Sequence, residues 1–325
     1  MISHKEIPDI DVREKLALLE GADIKDPGQW DVRKRILDRH ISGKEMNGLR
    51  LPWIKTHDQV RLRSGEVSVW AGFNAHNKTT IMSQVAVWAS REVPVGIVSL
   101  EMELEDTYNL MARQAAGGEY PDNRWMNDFL TWCQERIYVY DVLDSVPARR
   151  VLSAVDYMAD TLGCKLVMLD SLMMVRGVVD DIEREREFLS ILAGLAKYYK
   201  IHIALAHHMR KPQHGDESYI PNKFDLRGSG GIADIAHTIF IAWSNKARKA
   251  IQKKLQEQLP LNQEEMIRWE REEKRPDQLL IVAKQRHGEF EGATGLWQHP
   301  SRQFIAKPGV SPMHIEIPRM EANAP

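Results

Sequence analysis

The stretch that most constrains this chain is Ala71-Gly72-Phe73-Asn74-Ala75-His76-Asn77-Lys78-Thr79-Thr80. It follows the alternating apolar run Val67 to Trp70 and opens onto Ile81-Met82-Ser83-Gln84-Val85-Ala86-Val87-Trp88-Ala89. Strand, small-residue loop and helix in that order are what a phosphate-binding loop requires. Small residues let backbone N–H groups curl round an anion, and the helix N-terminus that follows adds positive dipole. On this reading Lys78 reaches the β- and γ-phosphates of ATP and the Thr79 hydroxyl is a ligand of Mg²⁺. The remaining contacts to the nucleotide are expected from Gly72, Asn74, Ala75, His76, Asn77 and Thr80. The pattern wants glycine before the lysine, and Asn77 stands there. After glycine, asparagine most readily tolerates a left-handed backbone, so the loop can still close. The same residues alone are also compatible with a strand-turn-helix that binds no nucleotide.

The 325 residues suffice for one large α/β domain plus an appendage. A formal net charge of −2 gives no global basic signal, so any nucleic-acid contact must come from local patches. No run approaches eighteen apolar residues, and the start, Met1 to Glu6, lacks the apolar segment of a signal peptide. A cytoplasmic protein without membrane contact is expected. Cys133 and Cys164 lie far apart in apolar elements, which predicts reduced thiols. No Cys/His spacing fits a zinc site.

Residues 1–50 read as a helical segment rather than a domain. Asp11 and Glu14 match a capping box with Val12, Leu16 and Leu19 on one face, and a second helix is expected from about Gln29 to Ser42 with Trp30, Ile36, Leu37 and Ile41 on its apolar side. Neither can bury its stripe alone, so a groove on the core or on a neighbouring subunit must receive it. From Leu51 the chain alternates short apolar strands with helices. That pattern predicts an α/β fold, a mostly parallel central sheet flanked by helices, over residues 51–310. Strands are expected at Val67 to Trp70, Val95 to Leu100, Ile137 to Tyr140, Leu166 to Leu169, His202 to Ala206, Thr238 to Trp243 and Leu279 to Ala283, with two more near Gly295 and Phe304. Helices are expected after the loop and over Leu104 to Ala116, Arg124 to Glu135, Ala148 to Thr161 and Ile182 to Tyr199. A charged insertion, residues 245–277, reads as two helices broken at Leu259-Pro260, either a solvated hairpin or a partner surface. Residues 311–325 form a C-terminal tail.

Three further strand ends carry chemistry. The strand Leu166 to Asp170 ends in a carboxylate placed to hold Mg²⁺. Ser171 follows it, so a water-activating carboxylate must come from another strand end, and Glu101 after Val95 to Leu100 is the candidate; its other reading is a helix-capping glutamate. At the end of the next strand, Ala206-His207-His208-Met209-Arg210, His207 is the candidate for touching the γ-phosphate, or is simply structural.

Taken together, Gly72 to Thr79, Ser99-Leu100-Glu101-Met102, Leu169-Asp170-Ser171-Leu172, Ala206-His207-His208-Met209-Arg210, Asp225-Leu226-Arg227-Gly228-Ser229-Gly230 and Ala283-Lys284-Gln285-Arg286-His287-Gly288 resemble the ring-shaped replicative helicases of the DnaB class and their bacteriophage relatives, built on a RecA-like P-loop core. The six motifs occur in the family's order and cover roughly residues 50 to 300. The resemblance implies that Lys78, Thr79 and Asp170 hold Mg-ATP, that Glu101 polarises the attacking water, and that His207 senses the γ-phosphate. It implies that Lys284 and Arg286 reach into the next subunit's site as a cationic finger, which requires a homo-oligomer, a hexameric ring. It implies single-stranded DNA contacts from Arg210, Lys211 and Lys223, with a second loop at Arg176. The segment before Leu51 is too short for a collar or primase domain and looks like the linker helix with which such subunits clasp their neighbours.

The expected function is therefore that of a phage-type replicative DNA helicase, ATP-driven and ring-forming, working with a primase, polymerase or loader. The other reading is a RecA-like nucleotide-binding regulator, loader or recombinase with weak turnover, for which Asn77 is the main argument.

Overall fold

In the computed structural model of the protein, the structure describes residues 11–13, 28–41, 47–142, 145–178, 181–210, 218–227 and 230–318. In chain order the main elements are α1 (Trp30–Ile41), β1 (Val67–Gly72), α2 (Lys78–Ala89), β2 (Val95–Ser99), α3 (Leu104–Ala116), α4 (Asn123–Cys133), β3 (Ile137–Asp141), β4 (Val146–Pro147), α5 (Ala148–Asp160), β5 (Leu166–Asp170), β6 (Val175–Arg176), α6 (Ile182–Tyr199), β7 (His202–His208), α7 (Gly230–Ile235), β8 (Thr238–Ser244), α8 (Lys246–Gln256), α9 (Gln263–Glu272), β9 (Gln278–Gln285), β10 (Gly292–Gln298) and β11 (Phe304–Ile305). From α1 onward the strands and helices expected from periodicity are present, with ends shifted by one or two residues; the helix expected from Asp11 lies mostly outside the described residues.

Nine strands form one sheet in the order β11-β10-β9-β8-β1-β7-β5-β2-β3, and β4 pairs separately with β6. From β8 to β3 the pairing is parallel, as apolar runs separated by helices require. β9, β10 and β11 are added in antiparallel fashion. The parallel strands other than β3 at the edge are buried on both faces. Val67, Val69, Ile203 and Leu205 face Val151, Val155, Leu189 and Leu192 of α5 and α6. Trp70, Ala204 and Ala206 face Ile81, Val85, Met111 and Phe129 of α2, α3 and α4. Trp70 stacks on Phe240 with centroids 4.2 Å apart, a contact worth about 0.5–1.5 kcal/mol beyond its area.

Cys133 and Cys164 are buried, unbonded thiols, each pushed up to about 12 by burial. The inserted hairpin is α8 and α9, the second opened by a capping box at Asn262. Residues 311–318 are not a free tail: Ile315 is buried and its N–H donates to the Ala115 carbonyl at 2.8 Å. At the other end, Val12 is buried against α5 and α6 and Arg13 pairs with Glu187 at 2.9 Å, so the chain's own core receives that apolar side chain. Glu14, Leu16 and Leu19 lie outside the described residues. On α1, Trp30, Ile36 and Leu37 are exposed.

Candidate nucleotide site

The parallel strands deliver their carboxyl ends to one edge, where open α/β sheets place ligands. β1 ends at Gly72, β5 at Asp170, β7 at His208 and β8 at Ser244; Glu101 follows β2 by two residues. Gly72 has to be glycine, because a Cβ there would lie 2.7 Å from the Ala242 carbonyl oxygen and 3.3 Å from Lys78 Cγ.

The loop then turns with two non-glycine residues left-handed, Ala75 at φ 59° and Asn77 at φ 63°. Such a backbone costs an ordinary L-residue roughly 1–2 kcal/mol, less for asparagine. Asn77 precedes the first turn of α2 with φ 63°, ψ 27°, the conformation expected of it from sequence. The side chain of His76 is not turned to the site: its Nδ1 accepts from the Ser244 N–H at 3.0 Å, and burial pushes the imidazole down to about 4. His76 can therefore serve an anion only through its backbone.

Lys78 is almost fully buried, and its Nζ donates to the carbonyls of Gly72 and Phe73, both at 3.2 Å. Burial lowers its pKa, while Asp170 and Glu101 oppose that shift. Thr79 Oγ1 donates to Asp170 Oδ2 at 2.6 Å. Burial raises the Asp170 pKa against the Thr79 bond and the Lys78 charge. A hydroxyl and a carboxylate side by side, with a lysine near, are the hard oxygen donors that suit Mg²⁺ on a phosphate.

Glu101 accepts a short hydrogen bond from the Ser171 hydroxyl and lies 3.8 Å from His208 Nε2. The His208 ring and then the Ser171 hydroxyl hold its carboxyl below the usual range, against the effect of burial. His208 Nδ1 in turn meets Asn74 Oδ1 at 2.6 Å. A polar chain thus runs from the loop through His208 to the carboxylate.

The residue that faces this cluster is His208, and the assignment of His207 to the γ-phosphate is corrected on that ground. His207 has its Nε2 2.6 Å from the Arg227 carbonyl, its Nδ1 is buried with no partner among the described residues, and burial lowers it to about 4. The cause is the strand's period of two: successive side chains leave on opposite faces. His207 shares parity with Ile203 and Leu205 on the α5/α6 face, whereas His208 shares parity with Ala204 and Ala206 on the face of α2. Two adjacent histidines leave parity undecided until the neighbouring packing is known.

Lys284 and Arg286 stand elsewhere. β9 runs antiparallel to β8, so it begins beside the loop at Gln278 and carries Arg286 to the opposite edge. Eight residues of strand amount to about 27 Å. There Lys284 Nζ donates to the carbonyls of Ala233, Asp234 (3.3 Å) and Ala236 (2.8 Å), and Arg286 Nη2 to that of Asp234 at 2.5 Å. Both cations cap the carbonyl end of α7, as cations at a helix C-terminus do.

Of the residues expected to meet DNA, Lys223 lies on a turn rooted in β7: the N–H groups of Arg210 and Arg227 donate to the carbonyls of Asp225 and His208 at 2.8 and 3.1 Å. Lys223 is 3.8 Å from Glu291, and Phe224 beside it is 81% exposed. Arg176 is on β6, its guanidinium donating to the Ser145 carbonyl at 2.7 Å. Lys211 lies outside the described residues. Asn74 is expected at the loop; Ser171, Ser244 and Gln278 join the site by contacts that span 70 to 202 positions and leave no local signal.

A strand-loop-helix that brings Lys78, Thr79 and Asp170 together at the carboxyl edge of a mostly parallel sheet has the form of a P-loop ATPase domain of the RecA-like class. The chain belongs to the DnaB-like helicase C terminal domain family, which it matches over residues 60–306. It is 24% identical to a DNA helicase/primase of Enterobacteria phage T3 over 206 residues, 57% of this chain and 36% of that protein, so it spans about a third of the relative's length. In fold it resembles a solved ATPase domain (TM-score 0.65, 14% identity, 87% of this chain and all of that one) and a DnaB-like replicative helicase solved with regard to its interactions with primase (TM-score 0.62, 14% identity, 90% and 70%).

Proposed function

We propose that this chain is the motor of a replicative DNA helicase, a ring of identical subunits that couples Mg-ATP hydrolysis at subunit interfaces to movement along single-stranded DNA in the host cytoplasm. The carrying observation is the separation along β9. Lys78, Thr79, Asp170, Glu101 and His208 gather at one edge, while Arg286 sits about 27 Å away at the other and cannot serve its own site. A cation so placed serves the site of a neighbour.

In this reading Lys78, the cradle N–H groups and the α2 dipole bind the phosphates, and Thr79 with Asp170 holds Mg²⁺. The metal, when bound, supplies charge neutralisation on the β- and γ-phosphates. Glu101 orients and deprotonates the attacking water. His208, touching both Asn74 of the loop and Glu101, reports the γ-phosphate through the Arg227–His208 backbone bond to the turn of Lys223 and Phe224. That turn, with Arg210, Lys211 and Arg176, meets the strand: the cations at phosphates, Phe224 as a base-stacking surface. The exposed Trp30, Ile36 and Leu37 of α1 clasp the adjacent subunit. A primase, polymerase or loader is the expected partner class.

The second reading is a weakly hydrolysing regulator, loader or recombinase, for which Asn77 is the main argument; the left-handed backbone of Asn77, the conformation glycine would take, supports the motor instead. The deciding experiment compares ATP hydrolysis with and without single-stranded DNA, and fork unwinding, for the protein and Lys78→Ala. DNA-stimulated turnover that the variant lacks supports the motor; equal rates in the two proteins sink it.

A further inference from the structure

Asn77, which stands where the pattern wants glycine, and His76 before it are gripped by the strand ends that flank the insertion. Asn77 Nδ2 donates to Gln278 Oε1 at 2.9 Å and approaches Ser244 Oγ at 3.5 Å. Gln278 Nε2 donates to the His76 carbonyl at 3.3 Å, and the Ser244 N–H donates to His76 Nδ1 at 3.0 Å. Gln278, Ser244 and His76 are buried, so these bonds compete little with water. Ser244 is the last residue of β8 and Gln278 the first of β9, and residues 245–277 lie between them.

The base of that hairpin is itself cross-tied. Arg248 forms a buried pair with Asp277 and donates to the carbonyls of Glu272 and Glu273 at 3.1 and 3.2 Å. The Asn245 amide donates to Glu272 Oε2 at 2.7 Å, and its N–H to the Asp277 carbonyl at 2.9 Å. Asp277 Oδ2 accepts from the Gln298 N–H at 2.9 Å. The hairpin root is thus a rigid mount, and Gln278 stands on it facing the residue before Lys78.

We propose that Gln278 is a positioning residue of the nucleotide site: with Asn77 it forms a side-chain clamp that holds the loop in the left-handed turn which glycine supplies by its own freedom, and the inserted hairpin is the clamp's mount. The inference rests on the nucleotide-site reading above. Lys78 and Thr79 follow Asn77 directly, so releasing the clamp lets both drift from the phosphates and the metal position. It follows that Asn77→Gly does not improve this loop. Glycine fits the backbone better but breaks the tether, and the loop gains conformations that no longer bind.

The test uses the full chain, a fluorescent ADP analogue with Mg²⁺ as probe, and the variants Asn77→Gly, Gln278→Met, their combination, and Lys78→Ala. Methionine fills the buried space of glutamine without either polar atom. The clamp predicts about fivefold weaker binding for Asn77→Gly, the worth of one hydrogen bond, at least that loss for Gln278→Met, which also gives up the His76 carbonyl, and a double variant no weaker than Gln278→Met. The loss is read in the KM for ATP more than in kcat, which a general loss of folded protein would not produce. Equal, multiplying losses from the two changes would overturn the clamp. Should Gln278→Met not fold, Asn77→Gly decides alone: weaker binding supports the clamp and binding as tight or tighter removes it. If the unaltered protein binds the probe no better than Lys78→Ala, the nucleotide-site reading itself fails and the clamp falls with it.

Discussion

The Thr79 hydroxyl donates a 2.6 Å hydrogen bond to Asp170 Oδ2, joining the first turn of α2 to the end of β5 across 91 positions of sequence. The bond fixes the carboxylate against the burial that raises its pKa, and it sets two oxygens where a divalent cation on a phosphate would find them. Asp170→Asn keeps the shape and removes the charge. Mg²⁺-dependent ATP hydrolysis should fall by at least about 100-fold, while ADP binding without metal is largely retained. Unimpaired hydrolysis in this variant would take Asp170 out of the metal site.

The two adjacent histidines should separate cleanly. His208→Ala interrupts the path from Asn74 to Glu101 and should lower DNA-stimulated turnover by about tenfold or more, with the melting temperature unchanged. His207→Ala empties a buried place on the other face and should cost about 2–3 kcal/mol of stability. The reverse pattern, activity lost with His207 and stability with His208, would restore the assignment made from sequence.

If Arg286 serves the neighbouring site, Arg286→Ala should bind nucleotide normally and hydrolyse it about 1,000-fold more slowly. Mixing it with Lys78→Ala subunits, which are dead at their own loop but still carry Arg286, should recover part of the activity. A mixture no more active than its components would place the finger elsewhere.

Acid should unfold the protein well above the carboxylate range. Burial holds His76, His202 and His207 down at about 4, against an ordinary value of 6.5. His202 is neutral in a tight setting, its Nδ1 2.8 Å from the Arg63 carbonyl and its Nε2 2.8 Å from Ser68 Oγ. Below 6.5 the unfolded chain takes up protons that these rings refuse, so stability is full above that pH and is lost as pH falls toward 4. Asp170, raised by burial, acts in the opposite direction, but it is one group against three. Melting temperatures from pH 7.5 to 4.5 should show the decline, and His202→Gln should flatten it; a level profile would contradict the burial argument.

Much of the architecture was legible because it is local. Apolar runs of strand length between helical stripes marked each main strand and the helices α2 to α6, and the order strand-loop-helix placed Lys78 and Thr79 without any knowledge of packing. Asn77 could be read as left-handed from its residue type. Asp170 and Glu101 could be read as strand-end carboxylates by position along their strands.

Residue order alone therefore specifies the elements, the class and the residues fixed by their place within an element. Packing in three dimensions settles which face each strand presents and what meets at the edge of the sheet. Parity put His208 rather than His207 against Glu101, because the helices packed on each face, not the strand, distinguish its two sides. Antiparallel addition of β9 carried Arg286 away from its own loop while bringing Gln278 onto Asn77. Those contacts span up to 201 positions; no local propensity encodes them, since they exist only once the sheet has brought the strand ends together.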